Sequence, residues 1–202
     1  INKRKFMEAQ DPNQAAISLS GEPTIYPRIS ELIEEFKKRG FTTFLVSNGT
    51  FPERFMDMTP PTQLYISIDA PDKKTYKRVC NPIVHGTWEK INRSLELLPS
   101  LDTRTVIRIT LVKGLNDINL EGYAKLISKA EPDFIEVKAF MLLGGSRARL
   151  SLENMPSFEY VEEFSGRLSA EVGYGVADTS VDSRVVLLSK TDKAYIPIPP
   201  KD

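Results

Sequence analysis

Apolar residues along this chain recur with a period of two, then of 3.6, then of two again, and that alternation confines it to an α/β fold. Period-two runs predict strands over Ala15 to Ser20, Thr42 to Asn48, Leu64 to Asp69, Arg104 to Val112, Phe134 to Ala139 and Arg184 to Leu188. Runs of period 3.6 predict helices over Ile29 to Arg39, Lys73 to Val79, Trp88 to Leu98, Leu120 to Ala130 and Phe158 to Leu168. In the first helix Ile29, Leu32, Ile33 and Phe36 make one apolar stripe, the mark of a helix laid on a sheet. The serial spacing suits βαβ units of about 30 residues, whose crossovers give a parallel sheet. At 202 residues the chain suits a single domain over 1–202. Residues 1–12 read as a helix remnant, and residues 193–202, with Pro197, Pro199 and Pro200, as an extended tail.

Side-chain alternation decides how such a sheet is arranged. In a doubly wound sheet both faces of a central strand are apolar. Here Leu64, Ile66 and Ile68 oppose Tyr65, Ser67 and Asp69, and Ile135 and Val137 oppose Glu136 and Lys138. Thr105, Ile107, Ile109 and Leu111 likewise oppose Arg104, Arg108 and Thr110, and Ile17 and Leu19 oppose Ser18 and Ser20. Helices therefore cover one face only, and the other is polar. A closed eight-stranded barrel fills its interior with branched apolar side chains, so the expected fold is a partial, half-open parallel β/α barrel with a wet or ligand-filled lumen. Ser20, Glu22, Asn48, Ser67, Asp69, Arg108, Thr110, Glu136 and Lys138 are expected to converge on it. An internal Glu136, Lys138 and Arg108 network is the alternative use of those three charges, because burying an unpaired ion costs several kcal/mol.

The run Ser18-Leu19-Ser20-Gly21-Glu22-Pro23-Thr24 is the most distinctive local signal. A strand there meets a glycine, an acid and a proline, which places Glu22 at a strand's C-terminal edge, where parallel α/β folds bind ligands. Lys and Arg balance Asp and Glu at 27 each, so a nucleic-acid partner must use a local patch. The one cysteine, Cys80, excludes an internal disulfide and favours a reducing, cytoplasmic setting. No run of about 18 apolar residues suggests a membrane partner. His85 reads as a solvated loop residue, and no His/Cys cluster has zinc spacing.

The chain resembles the radical S-adenosylmethionine (radical SAM) superfamily and, within it, the archaeal tRNA 4-demethylwyosine synthase family. The resemblance runs from Phe6 to about Lys190. It is carried by Ala16 to Thr24, Gly40-Phe41-Thr42-Thr43-Phe44, Val46-Ser47-Asn48-Gly49, Pro61-Thr62-Gln63-Leu64-Tyr65 and Asp182-Ser183-Arg184-Val185. It implies a partial TIM barrel that binds S-adenosyl-L-methionine (SAM), with Ser20, Gly21 and Glu22 at the methionine amino group. Ser67 and Asp69 suit the ribose hydroxyls, Arg108 suits the carboxylate as a planar fork, and Asn48 and Thr110 complete the cofactor set. The implied reaction is that of a lyase in wybutosine biosynthesis. It joins N1-methylguanosine in tRNA(Phe) to two carbons of pyruvate through a 5'-deoxyadenosyl radical, and needs an electron donor for cluster reduction. Lys138 would pair with the pyruvate carboxylate or form an imine with its ketone. Lys113, Glu136, Arg147 and Arg149 are assigned to substrate and tRNA.

One departure stands out. The superfamily holds a 4Fe-4S cluster on three cysteines of a CxxxCxxC loop after the first strand, and this chain has only Cys80. The expectation is that the first strand and cluster loop are absent from these residues, which therefore ligate no metal and are inactive alone. Two other readings stay open: radical SAM chemistry on a peptide or small molecule, and a cluster-less barrel that only binds a nucleotide or RNA.

Overall fold

Capping chemistry sets the helices. The computed structural model describes residues 2–18 and 21–190, so Ser20 and the 193–202 tail lie outside the described residues. The helices are α1 (Lys3–Glu8), α2 (Ile29–Lys38), α3 (Pro52–Asp57), α4 (Lys73–Cys80), α5 (Thr87–Leu97), α6 (Leu120–Ala130) and α7 (Phe158–Val172). Asp72, Asn119 and Ser157 accept first-turn N–H bonds at the N-termini of α4, α6 and α7. Left-handed Asn81, Glu131 and Gly173 end the same three helices.

The strands are β1 (Gln14–Ile17), β2 (Thr42–Ser47), β3 (Gln63–Ser67), β4 (Arg104–Leu111), β5 (Phe134–Ala139), β6 (Gly175–Ser180) and β7 (Val185–Ser189). They form one sheet in the order β1-β2-β3-β4-β5-β7-β6, with β1 to β5 parallel. On the helix-covered face Leu64, Ile66, Ile107, Ile109, Leu111, Ile135 and Val137 are completely buried. Each is worth about 1.5–3 kcal/mol of transfer from water. The opposite face curves round a hollow lined from Gln14 on β1 to Ser180 on β6. This is the expected half-open barrel. Among the described residues no helix is long and apolar enough to cross a membrane.

The sheet departs from the sequence expectation at its far edge. β7 pairs antiparallel with β5 and β6, not parallel. Only Val181 to Arg184 separate β6 from β7. A parallel crossover needs a dozen or more residues, so this connection can only be a hairpin. Helix α3 was also not expected; six residues are too few to show a period, and Pro52 at its first turn is its one local signal.

Candidate functional site

Gly21 and Gly49 shape the first corner of the site. Gly21 sits at φ +78°, a left-handed conformation that disfavours any Cβ, and Gly49 (φ +71°) would place a Cβ 3.1 Å from Ile66. Between these turns Glu22 is buried, with its carboxylate shared among four donors. Its Oε1 accepts from the Thr24 amide (3.1 Å), the Thr24 hydroxyl (2.7 Å) and the Ser47 hydroxyl (2.9 Å). Its Oε2 accepts from the Asn48 amide at 2.7 Å. Glu22 thus ties the loop after β1 to the end of β2, and Oε2 keeps one acceptor site for a ligand.

The polar ring expected as one cavity is divided into two levels. At the C-terminal ends of the strands a recess of about 640 Å3 is lined by Asn48, Ser67, Asp69, Thr110 and Arg149, with Val79, Val84, Val112 and Phe140 as apolar walls. At the opposite ends a cavity of about 330 Å3 is lined by Tyr65, Arg104, Glu136 and Asp178. Arg108 lies at the level between them. Its Nε is 2.7 Å from Glu136 Oε1, an ion pair off the N–H direction, and its Nη2 donates to Glu136 Oε2 at 3.4 Å. Its guanidinium stands 4.4 Å from the Tyr65 ring centroid. Arg108 and Glu136 therefore serve first as a strut, and Glu136 is set away from the strand-end recess. The expected charge network forms without its third member: Lys138, half-buried on the same face beside Thr110 and Val185, makes no ion pair among the described residues.

Arg149 lines the recess, and Arg147 is exposed on the short turn before it. Lys113 turns away, its Nζ 5.2 Å from the Tyr160 ring centroid on α7. One residue escaped the sequence reading altogether. Asn116, completely buried, donates to the carbonyls of Asp69 (3.0 Å) and Thr110 (2.8 Å) and accepts from the Val112 amide (2.7 Å). It clamps the ends of β3 and β4 together. Its signal is hidden because an Asn in a Gly-Leu-Asn-Asp stretch reads as an exposed turn.

Asp69 faces the recess and accepts from the Thr110 amide at 3.2 Å. Burial raises its pKa, only partly opposed by hydrogen bonds from the Thr110 backbone and side chain and by the Arg108 charge. A folded carboxyl with a raised pKa holds its proton more tightly than the unfolded chain, so its contribution to stability falls as pH climbs above about 4. Asp69→Asn, which keeps the acceptor and cannot ionise, should therefore raise Tm near neutral pH and change it little near pH 4. Thermal unfolding across pH checks this; equal shifts at both ends would show that charge burial is not the cause.

Residues 3–127 match the model of the radical SAM superfamily. The chain belongs to that superfamily. Residues 129–190 match a second model, described as wyosine base formation. The S-adenosyl-L-methionine-dependent tRNA 4-demethylwyosine synthase of Pyrococcus abyssi is 53% identical over 197 residues, covering 95% of this chain and 58% of that protein. The Methanocaldococcus jannaschii protein of the same name is 42% identical, covering 98% of this chain and 62% of its own length. A solved structure of TYW1 with a lysine-pyruvate adduct bound superposes with a TM-score of 0.84 at 41% identity, covering 94% of this chain and 60% of that one. The chain thus spans about 58% of the length of the Pyrococcus relative. As a radical SAM member it carries the half-open barrel that its alternation pattern implied.

The donor set at the strand ends fits SAM. Asp69, Ser67, Thr110 and Asn48 offer carboxylate, hydroxyl and amide groups to a ribose, the apolar wall suits an adenine, and Glu22 Oε2 can accept from an ammonium. A 4Fe-4S cluster does not fit the described residues. They hold one cysteine and no group of three or more His, Cys, Asp or Glu able to bind a metal.

Proposed function

We propose that the full-length protein containing this chain is a tRNA 4-demethylwyosine synthase, acting in the cytoplasm on N1-methylguanosine in tRNA(Phe) with pyruvate as co-substrate. The observation that carries this reading is Lys138: a half-buried lysine on the concave face, without an acidic partner among the described residues, beside the Thr110 that lines the recess. A lysine-pyruvate adduct in a TYW1 structure 41% identical to this chain supports it.

In this reading SAM would supply, on reductive cleavage with electrons from a donor protein, the radical chemistry needed at the base methyl group. The chain's own residues hold the reactants. Glu22 receives the SAM ammonium, Asp69 with Ser67 accepts from the ribose hydroxyls, and Asn48 and Thr110 flank them. Arg108, ion-paired with Glu136, offers its guanidinium to the carboxylate. The Lys138 amine adds to the pyruvate ketone carbon, a carbon–nitrogen double bond forms and water leaves. Arg147 and Arg149 hold tRNA phosphates.

Anaerobic reconstitution of the full-length protein tests the substrate. 5'-Deoxyadenosine release should rise about tenfold or more with tRNA bearing N1-methylguanosine, and not with unmethylated tRNA. SAM cleavage indifferent to both RNAs would redirect the chemistry to a peptide or small molecule.

A further inference from the structure

A ridge separates the strand-end recess from a second hollow over α4 and α5. That outer hollow, about 250 Å3, is lined by the ion pair of Lys73 with Glu89, by Lys77 and His85, and by the aromatic pair Tyr76 and Trp88, whose ring centroids lie 5.5 Å apart. Asn81, Pro82 and Val84 line both hollows, so the loop from Asn81 to Gly86 is the wall between them. The wall is fixed at each end. Asn81 caps α4 at φ 43°, its amide donating to the Lys77 carbonyl at 3.2 Å, and Gly86 turns into α5 at φ 77°. Its crest is Ile83, 97% exposed, followed by Val84 at 62%.

A lone exposed isoleucine needs no explanation by itself. Ile83 is singled out by its place: an apolar point on a braced ridge, with the strand-end recess on one side and an aromatic hollow holding Lys77 on the other. Lys77 lines the outer hollow and Arg149 the recess, and neither forms an ion pair among the described residues. In a chain with no net charge, such a local pair of cations is what an RNA backbone can use. Chemistry on a base methyl group requires the base to leave its stack, and proteins that unstack nucleic acid insert apolar side chains into the gap.

Resting on the tRNA reading above, we infer that Ile83 is a wedge. It fills the space left in the RNA stack when the target nucleotide turns toward the recess, with Lys77 and Arg149 on the flanking phosphates.

The test uses full-length protein and an anticodon stem-loop carrying 2-aminopurine beside the target nucleotide. Wild-type protein should raise the 2-aminopurine fluorescence on binding. Ile83→Ala should lose most of that rise and slow base conversion about tenfold or more, with Tm unchanged because the side chain is already in water. Ile83→Leu, which keeps the apolar bulk, should restore both. Full fluorescence change and turnover in Ile83→Ala would overturn the wedge while leaving the tRNA reading intact. A fall in Tm would also overturn it, by showing that another part of the protein covers the ridge. Wild-type protein that neither binds the stem-loop nor converts its base would overturn the tRNA reading and the wedge together.

Discussion

Lys138→Ala in the full-length protein is expected to abolish the pyruvate adduct trapped by cyanoborohydride and to slow base formation about a thousandfold or more, the scale on which covalent positioning of a reactant is felt. The expectation comes from how the concave face distributes its charges. Glu136, two residues earlier on the same face of β5, is taken by Arg108. The register neighbours of Lys138 are Thr110 and Val185, neither of them acidic. A lysine held half-buried without a counter-ion is suited to carry a substrate. Lys138→Arg separates the two roles open to it. Arginine keeps the charge and cannot form the imine, so pyruvate should still bind while trapping disappears. Peptide mapping decides the assignment: an adduct on any other lysine, or trapping that survives Lys138→Ala, would remove Lys138 from the mechanism.

Glu22 should show the second large effect, and it divides into two parts. Removing the carboxylate in Glu22→Ala leaves the Thr24 and Asn48 amides and the Thr24 and Ser47 hydroxyls without their acceptor. Buried donors left unsatisfied cost about 1–3 kcal/mol each, so a stability loss of roughly 3 kcal/mol or more is expected. Glu22→Gln is milder. Its NH2 must face either the Asn48 amide or the Thr24 and Ser47 donors, opposing one donor with another, for a loss of about 1–2 kcal/mol. SAM affinity should fall separately, by about 1–3 kcal/mol, through the lost charge-assisted bond. Urea unfolding and calorimetric SAM titration read the two parts independently. Unchanged stability would contradict the four-donor geometry, and unchanged SAM affinity would leave Glu22 a purely structural tie.

The sequence pattern exposed the fold wherever one face of an element is buried. β5 and α6 run as their periods predict because Ile135 and Val137, and Tyr123, Leu126 and Ile127, must all reach the same core. β6 had no such signal. It is an edge strand with Val176 57% exposed and an irregularity between Val176 and Asp178, so no apolar alternation marks it. The direction of β7 is hidden for the same reason, since a hairpin is invisible in sequence when its first strand is.

At the site, polar residues at odd positions of β3 and even positions of β4 and β5 gave the concave face correctly. They could not give its division into two levels, which depends on Arg108 reaching across to Glu136 on the next strand. Nor could they show Glu22 bound by Ser47 and Asn48, or Asn116 bonded to the end of β3 at Asp69, because those partners lie 25 to 47 residues away along the chain. Local period reports which way a side chain points, and only the packed sheet decides what it meets.

Nucleoside mass spectrometry on tRNA bearing N1-methylguanosine, incubated with the reconstituted full-length protein, SAM and uniformly 13C-labelled pyruvate, tests the central claim most directly. A tricyclic base carrying two labelled carbons is the predicted product. N1-methylguanosine recovered unlabelled and unchanged, while SAM is cleaved, would contradict the account.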